Sequence, residues 1–247
     1  MNKLCYISCF PVLMLLFAGC KKDNVPQVLS TIVNNNPVGQ AYGGTPAIPS
    51  TAAGAFYAVN TTSIDTTHTA TAGGVFAWFG NDSSTLQAGA VTCISDTLST
   101  QVPSSSSTYP WYEGVTSSLP GGLTWNVTGS HTVADFNYTD NTPFPQVNYS
   151  LGTVSTSSAF TLNYTVTNAY DVIVFTMSGS RGIVTQTATS GSSITFSVAQ
   201  INGATAAGDT HLALQAMAIK TTAVGIGGLT YYFIKQSAIK NYGVTAN

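Results

Sequence analysis

The stretch HLALQAMAIK, residues 211–220, reads two ways, and the choice between them sets the fold class. Ala, Leu, Gln and Met are strong helix formers. Yet Leu212, Leu214, Ala216 and Ala218 also fall at every second position, the period of a strand that buries one face. The run that follows it, LTYYFIKQS from residue 229, is rich in aromatic and β-branched residues and makes a natural pairing partner. We therefore read 211–220 as a strand.

The same period recurs on either side. In FTLNYTVT, residues Phe160, Leu162, Tyr164 and Val166 share one face; in SITFSVA, Ile194, Phe196 and Val198 do the same. AGAFYAVNTT, GGVFAWFG, AGAVTCIS, GLTWNVTG and YDVIVFTMSG are further short apolar runs separated by Gly, Ser, Asn and Pro clusters. MSGSRGI, around Arg181, reads as a hairpin tip. Strands at this spacing predict an all-β sandwich or barrel. A change of rhythm near residue 150 divides the body into two expected sandwich-like domains, 51–150 and 151–247. The second has the strand density of an immunoglobulin or fibronectin-like sandwich, without the disulfide and buried Trp of antibody domains. One continuous large sandwich is the other arrangement the pattern allows.

Composition agrees with this class. Only 6% of the 247 residues are charged, yet 44% are hydrophobic, so polarity comes from hydroxyls and amides while enough apolar surface remains for a core. Surface helices usually draw on Glu, Lys and Arg. Here Glu113 is the single glutamate and Arg181 the single arginine. With a net charge of −2 and no basic cluster, the chain has nothing to grip a phosphate backbone, and nucleic-acid binding is excluded.

Three of the four cysteines, Cys5, Cys9 and Cys20, lie in the first twenty residues, which leaves the body without a disulfide framework. Cys93, alternating with apolar neighbours, reads as a small buried hydrophobe. The apolar run after Lys3 is too short for a spanning helix, which needs about 20 residues, and Pro11 interrupts it. It reads as a signal peptide, residues 1–19, ending in Phe17-Ala18-Gly19-Cys20.

That ending resembles the bacterial lipobox. Ala18 and Gly19 match the small positions, Cys20 matches the lipid acceptor, and Phe17 stands where Leu is usual, with Leu16 one place back. The resemblance implies cleavage before Cys20 and a membrane anchor through lipid on its thiol. Two or more acyl chains hold a protein stably where one holds it marginally. Lys21-Lys22-Asp23 resembles the start of Bacteroidota lipoproteins that are exported to the cell surface. The resemblance covers about 23 residues and implies an outer-membrane lipoprotein. Residues 20–50, with Pro37, Pro46 and Pro49 among Gly, Asn and Ser, read as a flexible tether from that anchor.

Among candidate sites the richest segment is TYPWYEGVTSSLPGGLTWNVTG, residues 108–129. Tyr109, Trp111 and Tyr112 on a loop would offer flat faces to sugar rings, and Glu113 would accept hydrogen bonds from their hydroxyls. The alternative is that Trp111 and Tyr112 plug the end of a sandwich, and Trp125, in the alternating LTWNV, reads as core. Asp135, Asp140 and Asn141 supply oxygens of the kind calcium takes, but the D-x-D-x-D-G pattern is absent and a capped turn is the plainer reading. Asp65-Thr66-Thr67 and Asp96-Thr97-Leu98 look like the short O-glycosylation pattern of Bacteroidota exported proteins.

No motif announces an enzyme. His68, His131 and His211 are isolated, no G-x-S-x-G occurs, and Glu113 has no carboxylate at a telling spacing. No cofactor motif is present. The expectation is a non-catalytic binding module of the cell envelope, for glycans or for envelope proteins. A structural subunit of an adhesin or fimbria-like assembly is the alternative, and an envelope hydrolase comes third.

Overall fold

A computed structural model describes residues 48–64, 67–81, 84–101, 111–116 and 118–247 of the chain. The protein is all-β. Its strands are β1 (Gly54–Ile64), β2 (Thr69–Asn81), β3 (Ser84–Thr85), β4 (Val91–Cys93), β5 (Asp96–Thr97), β6 (Ser99–Gln101), β7 (Trp111–Thr116) and β8 (Leu123–Val127). They continue with β9 (Phe136–Asp140), β10 (Gln146–Tyr149), β11 (Phe160–Thr167), β12 (Val172–Ser178), β13 (Ile183–Ala188), β14 (Ser193–Phe196), β15 (Leu212–Ile226) and β16 (Leu229–Val244). One short helix, α1 (Val198–Ala204), lies between β14 and β15.

The stretch 211–220 is strand, and it belongs to the longest hairpin of the fold. Ile226 pairs with Leu229, which leaves Gly227 and Gly228 as a two-residue turn with φ of 59° and 80°. A turn with both central residues at positive φ matches the twist of the strands it joins, and glycine takes that conformation without a Cβ clash. The helix-like composition of 212–219 has a physical reason: every residue in it is buried, so both faces are apolar but for Gln215. Leu212, Leu214, Ala216 and Ala218 share one core cluster, and Met217 and Ile219 lie in another on the opposite face.

This hairpin is the spine of a nine-stranded sheet of order β13-β12-β15-β16-β1-β2-β7-β6, with β3 paired to β2. β16 runs antiparallel to β15 and parallel to β1, along which Gly54–Ile64 matches Tyr231–Asn241 residue for residue. Strands from both ends of the described chain are therefore neighbours in one sheet. The boundary expected at 150/151 falls between β10 and β11, which pair with each other in a three-stranded sheet, β10-β11-β14. Of the expected tether only residues 48–50 are described; Ile48 is buried in the core.

Two small sheets cover one face of the large one. The four-stranded sheet β5-β4-β8-β9 closes a core over β16, β1 and β2, containing Phe56, Phe79, Trp125 and Phe233. The three-stranded sheet and α1 close another over β12 and β15, around Phe175, Phe196 and Leu214. Trp125 is core, as its alternation suggests, and Cys93 is buried beside it. Burial first, then the negative charge of Asp96, pushes the Cys93 thiol up to about 12, so it stays protonated and inert at neutral pH.

Helix α1 overturns one reading. Val198 does not share a face with Ile194 and Phe196; it is exposed at the first turn of the helix. Ser197 caps that turn, its hydroxyl accepting from the Gln200 N–H while the Gln200 side chain accepts from the Ser197 N–H. Ser-x-x-Gln is the sequence signature of that box. A close crossing elsewhere explains two glycines. A Cβ on Gly89 would lie 2.1 Å from the Gly129 carbonyl oxygen, and both residues have positive φ.

Candidate functional site

Polar side chains fasten the two covering sheets to the large one, and the space between the fastenings is the candidate site. The first fastening is Lys235 on β16, whose side chain is 2% exposed. Its ammonium donates to the carbonyls of Gly121 (2.8 Å), Asp140 (3.0 Å) and Thr142, and lies 3.3 Å from the Asp140 carboxylate. Burial pushes its pKa below the ordinary lysine value, and Asp140 pulls it back. The second fastening is Tyr149 on β10. Its hydroxyl donates to the Leu214 carbonyl and accepts from the Asn241 amide, both at 2.6 Å. Burial pushes this phenol up to about 12, so it remains a donor.

Between Lys235 and Asn241 on β16 opens a cleft of about 340 Å³. Its floor is the large sheet, with Ser237 and Ile239 on β16, Asn60 and Thr62 on β1 and Thr71 on β2. One wall is the connection into β10 with its first residues, Phe144 and Gln146 to Asn148, and Ser118 closes another side. Among the described residues the lining contains no charged residue. Asn60 is held in place by a double hydrogen bond, its amide donating to the Leu119 carbonyl and its oxygen accepting from the Leu119 N–H. Thr62 and Thr71 hydroxyls bond each other at 3.3 Å. Among the described residues, the side chains of Gln146, Asn148 and Ser237 make no hydrogen bond. Amides and hydroxyls beside the apolar Phe144 and Val147 suit a neutral ligand carrying hydroxyls, in a space of the size small ligands use.

The expected site residues fall elsewhere. Trp111, Tyr112 and Glu113 belong to strand β7, not to a loop: Tyr112 pairs with Ala77 on one side and Thr100 on the other. Successive strand positions alternate between the two faces of a sheet, so positions 111 and 112 do not share one. Tyr109 and Cys20 lie outside the described residues, as do Asp65 and Thr66. Asp96 and Thr97 are exposed on β5, and Leu98 is buried. Asp135 is exposed ahead of β9, whereas the Asp140 carboxylate is 3% exposed, accepts from the Thr142 N–H and faces Lys235. The cationic partner at that acceptor-rich corner is thus an ammonium. No group of three or more His, Cys, Asp or Glu side chains able to hold a metal ion occurs among the described residues. No helix among them is long and apolar enough to cross a membrane.

Sequence reasoning missed the cleft because its residues come from five separated stretches, each of which reads locally as an ordinary polar strand position. Comparison with protein families finds no match, and comparison with curated proteins finds none. Among solved structures the chain is similar to that of the Yersinia pseudotuberculosis adhesin InvE, at 12% sequence identity and a TM-score of 0.19, over 73% of this chain and 58% of that one. At that score the likeness carries no argument.

Proposed function

We propose that this protein is a lipid-anchored, non-catalytic binding protein of the cell envelope, and that it holds a neutral, hydroxyl-rich ligand, a glycan, in the cleft between its covering sheets. The observation that carries the reading is the uncharged amide and hydroxyl lining beside Phe144 and Val147. An ionic ligand would have to shed its hydration without a counter-charge, which is costly. A sugar exchanges its water for amide and hydroxyl partners and lays its C–H faces on apolar side chains.

Titration calorimetry against soluble neutral oligosaccharides tests this. Asn148→Ala with Ser237→Val is expected to weaken binding about tenfold or more, since about 1.4 kcal/mol is a factor of ten. Binding that ignores both substitutions but disappears in Trp111→Ala would move the site to β7. Absence of glycan binding, with envelope proteins co-purifying, would favour the structural-subunit reading instead.

The anchor is proposed from the lipobox alone. Cells fed labelled palmitate are expected to label the wild-type chain and not Cys20→Ala. Label retained by that variant would remove the lipid from this account.

A further inference from the structure

The hairpin β15–β16 outruns the strand beside it. The ladder between β12 and β15 ends where Val172 meets Ile219, but β15 runs on to Ile226. The two-residue turn fixes which way its backbone groups point. Ile226 and Leu229 flank that turn, so Ile226, Val224 and Thr222 direct N–H and C=O to β16. Ile219, Thr221, Ala223 and Gly225 direct theirs outward. Two contacts on the outer side agree with that phase: the Ile219 carbonyl accepts from the Asp171 N–H at 2.8 Å, and the Thr221 N–H donates to the Asp171 carboxylate at 2.7 Å. Beyond Asp171, among the described residues, no strand pairs with this edge. Ala223 and Gly225 are exposed, and a Cβ on Gly225 would have nothing within 4 Å. Exposed edges usually carry a guard: a lysine, a proline or a bulge. Residues 221–226, TTAVGI, contain no charge and no proline, and the register shift of β15 lies at its other end, at Leu212/Leu214. Lys220, the nearest cation, is held by Asp171 at 2.6 Å.

We propose that this edge is a self-association site, pairing antiparallel with the same edge of a second copy of the chain about a two-fold axis at Val224. The free edge is its own complement. In that register Ala223 of each copy stands opposite Gly225 of the other, so the outward N–H of one meets the outward C=O of the other. Val224 meets Val224 across the seam, and Thr222 meets Ile226, as the close neighbours of non-hydrogen-bonded positions. Val224 and Ile226 are only half-buried against the core that holds Phe56 and Phe233, and the seam covers them further. No charge in 221–226 opposes the approach, and the residue that comes opposite Thr221 is Gly227, which brings no side chain. The large sheets of the two copies become one continuous sheet. A seam this short makes a weak dimer. The inference rests on neither the cleft nor the anchor.

Cysteine cross-linking of the full chain, with sedimentation in detergent alongside, tests it. Val224→Cys sets two thiols at opposed positions with Cβ atoms about 5 Å apart, so mild oxidation is expected to give about tenfold or more covalent dimer than Leu229→Cys, which the same register holds apart. Ala223→Pro removes an outward N–H and leaves the ladder to β16 whole, and it should suppress the Val224→Cys cross-link about tenfold. Gly225→Lys, at a position with room for a side chain, should do the same by guarding the edge, and it keeps the test decisive if the proline variant does not fold. The wild-type chain should sediment as a monomer that becomes a dimer as its concentration rises toward about 1 mM, and the Gly225→Lys chain as a monomer throughout. A wild-type chain that stays monomeric over that range would overturn the proposal. So would a cross-link that survives both substitutions. A Val224→Cys chain that cross-links in cells to another envelope protein and not to itself would make a foreign strand the occupant, and would overturn it too.

Discussion

Lys235→Met is expected to cost about 3–5 kcal/mol of folding stability, the range for removing one member of a buried ion pair. The reason is what remains behind. The Asp140 carboxylate, 3% exposed, loses its counter-charge, and the carbonyls of Gly121, Asp140 and Thr142 lose their common donor. Met fills much of the lysine stem's volume, so the loss reports on charge and hydrogen bonds more than on a cavity. Urea titration of the purified chain measures it. Lys235→Met combined with Asp140→Leu should recover part of the loss, because no uncompensated charge stays buried, although the carbonyls remain bare. A single variant within 1 kcal/mol of wild type would show that the ammonium does not fasten the four-stranded sheet. The same substitution should also weaken any ligand in the cleft, since Phe144, which the ammonium sits over at 5.3 Å, forms part of its wall.

Phe56→Ala is expected to cost a similar 3–5 kcal/mol, by cavity formation. Phe56 is 1% exposed on β1 and is the hub of the aromatic core. It stacks on Phe233 of β16 at 4.7 Å, and meets Phe79 of β2 at 5.3 Å, Trp125 of β8 at 5.0 Å and Phe136 of β9 at 5.9 Å edge-on. Truncation removes contacts to both layers at once, and the flanking strands are held by their own ladders and cannot collapse into the gap. The shape of the transition matters as much as its midpoint. β16 is hydrogen-bonded to β1 on one side and to β15 on the other, so the two covered cores share a strand. Phe56→Ala should therefore shift a single transition, seen equally by probes near Trp125 and near Phe175. Two separable transitions, with only the first shifted, would mean that the halves unfold independently despite the shared sheet.

Local pattern carried much of the fold. Period-two alternation identified FTLNYTVT and LALQAMAIK as strands; in FTLNYTVT it also marked the buried face, whereas 212–219 is buried on both faces. Trp125 and Cys93 were legible as core by the same alternation. Where a helix appeared unannounced, at 198–204, the signal was present in Ser197 and Gln200 but is two residues long, and the apolar alternation ahead of it is stronger.

The candidate site was not legible. Asn60, Ser118, Asn148 and Ser237 are ordinary polar strand or loop positions until the sheets stack and leave a gap between two fastenings. Asp140 shows why a residue's role resists prediction: from sequence it is one oxygen donor among several, and only the arrival of Lys235, 95 positions away, decides what it holds. By itself, then, the sequence determined the strand class and the low charge, and it carries the lipobox-like start from which the anchor is proposed. The parallel pairing of β1 with β16 joins residues some 177 positions apart. No local preference can encode such a contact; it is set by which apolar faces can be buried together. That pairing makes one sheet of both halves of the chain, and the tertiary structure alone decided it.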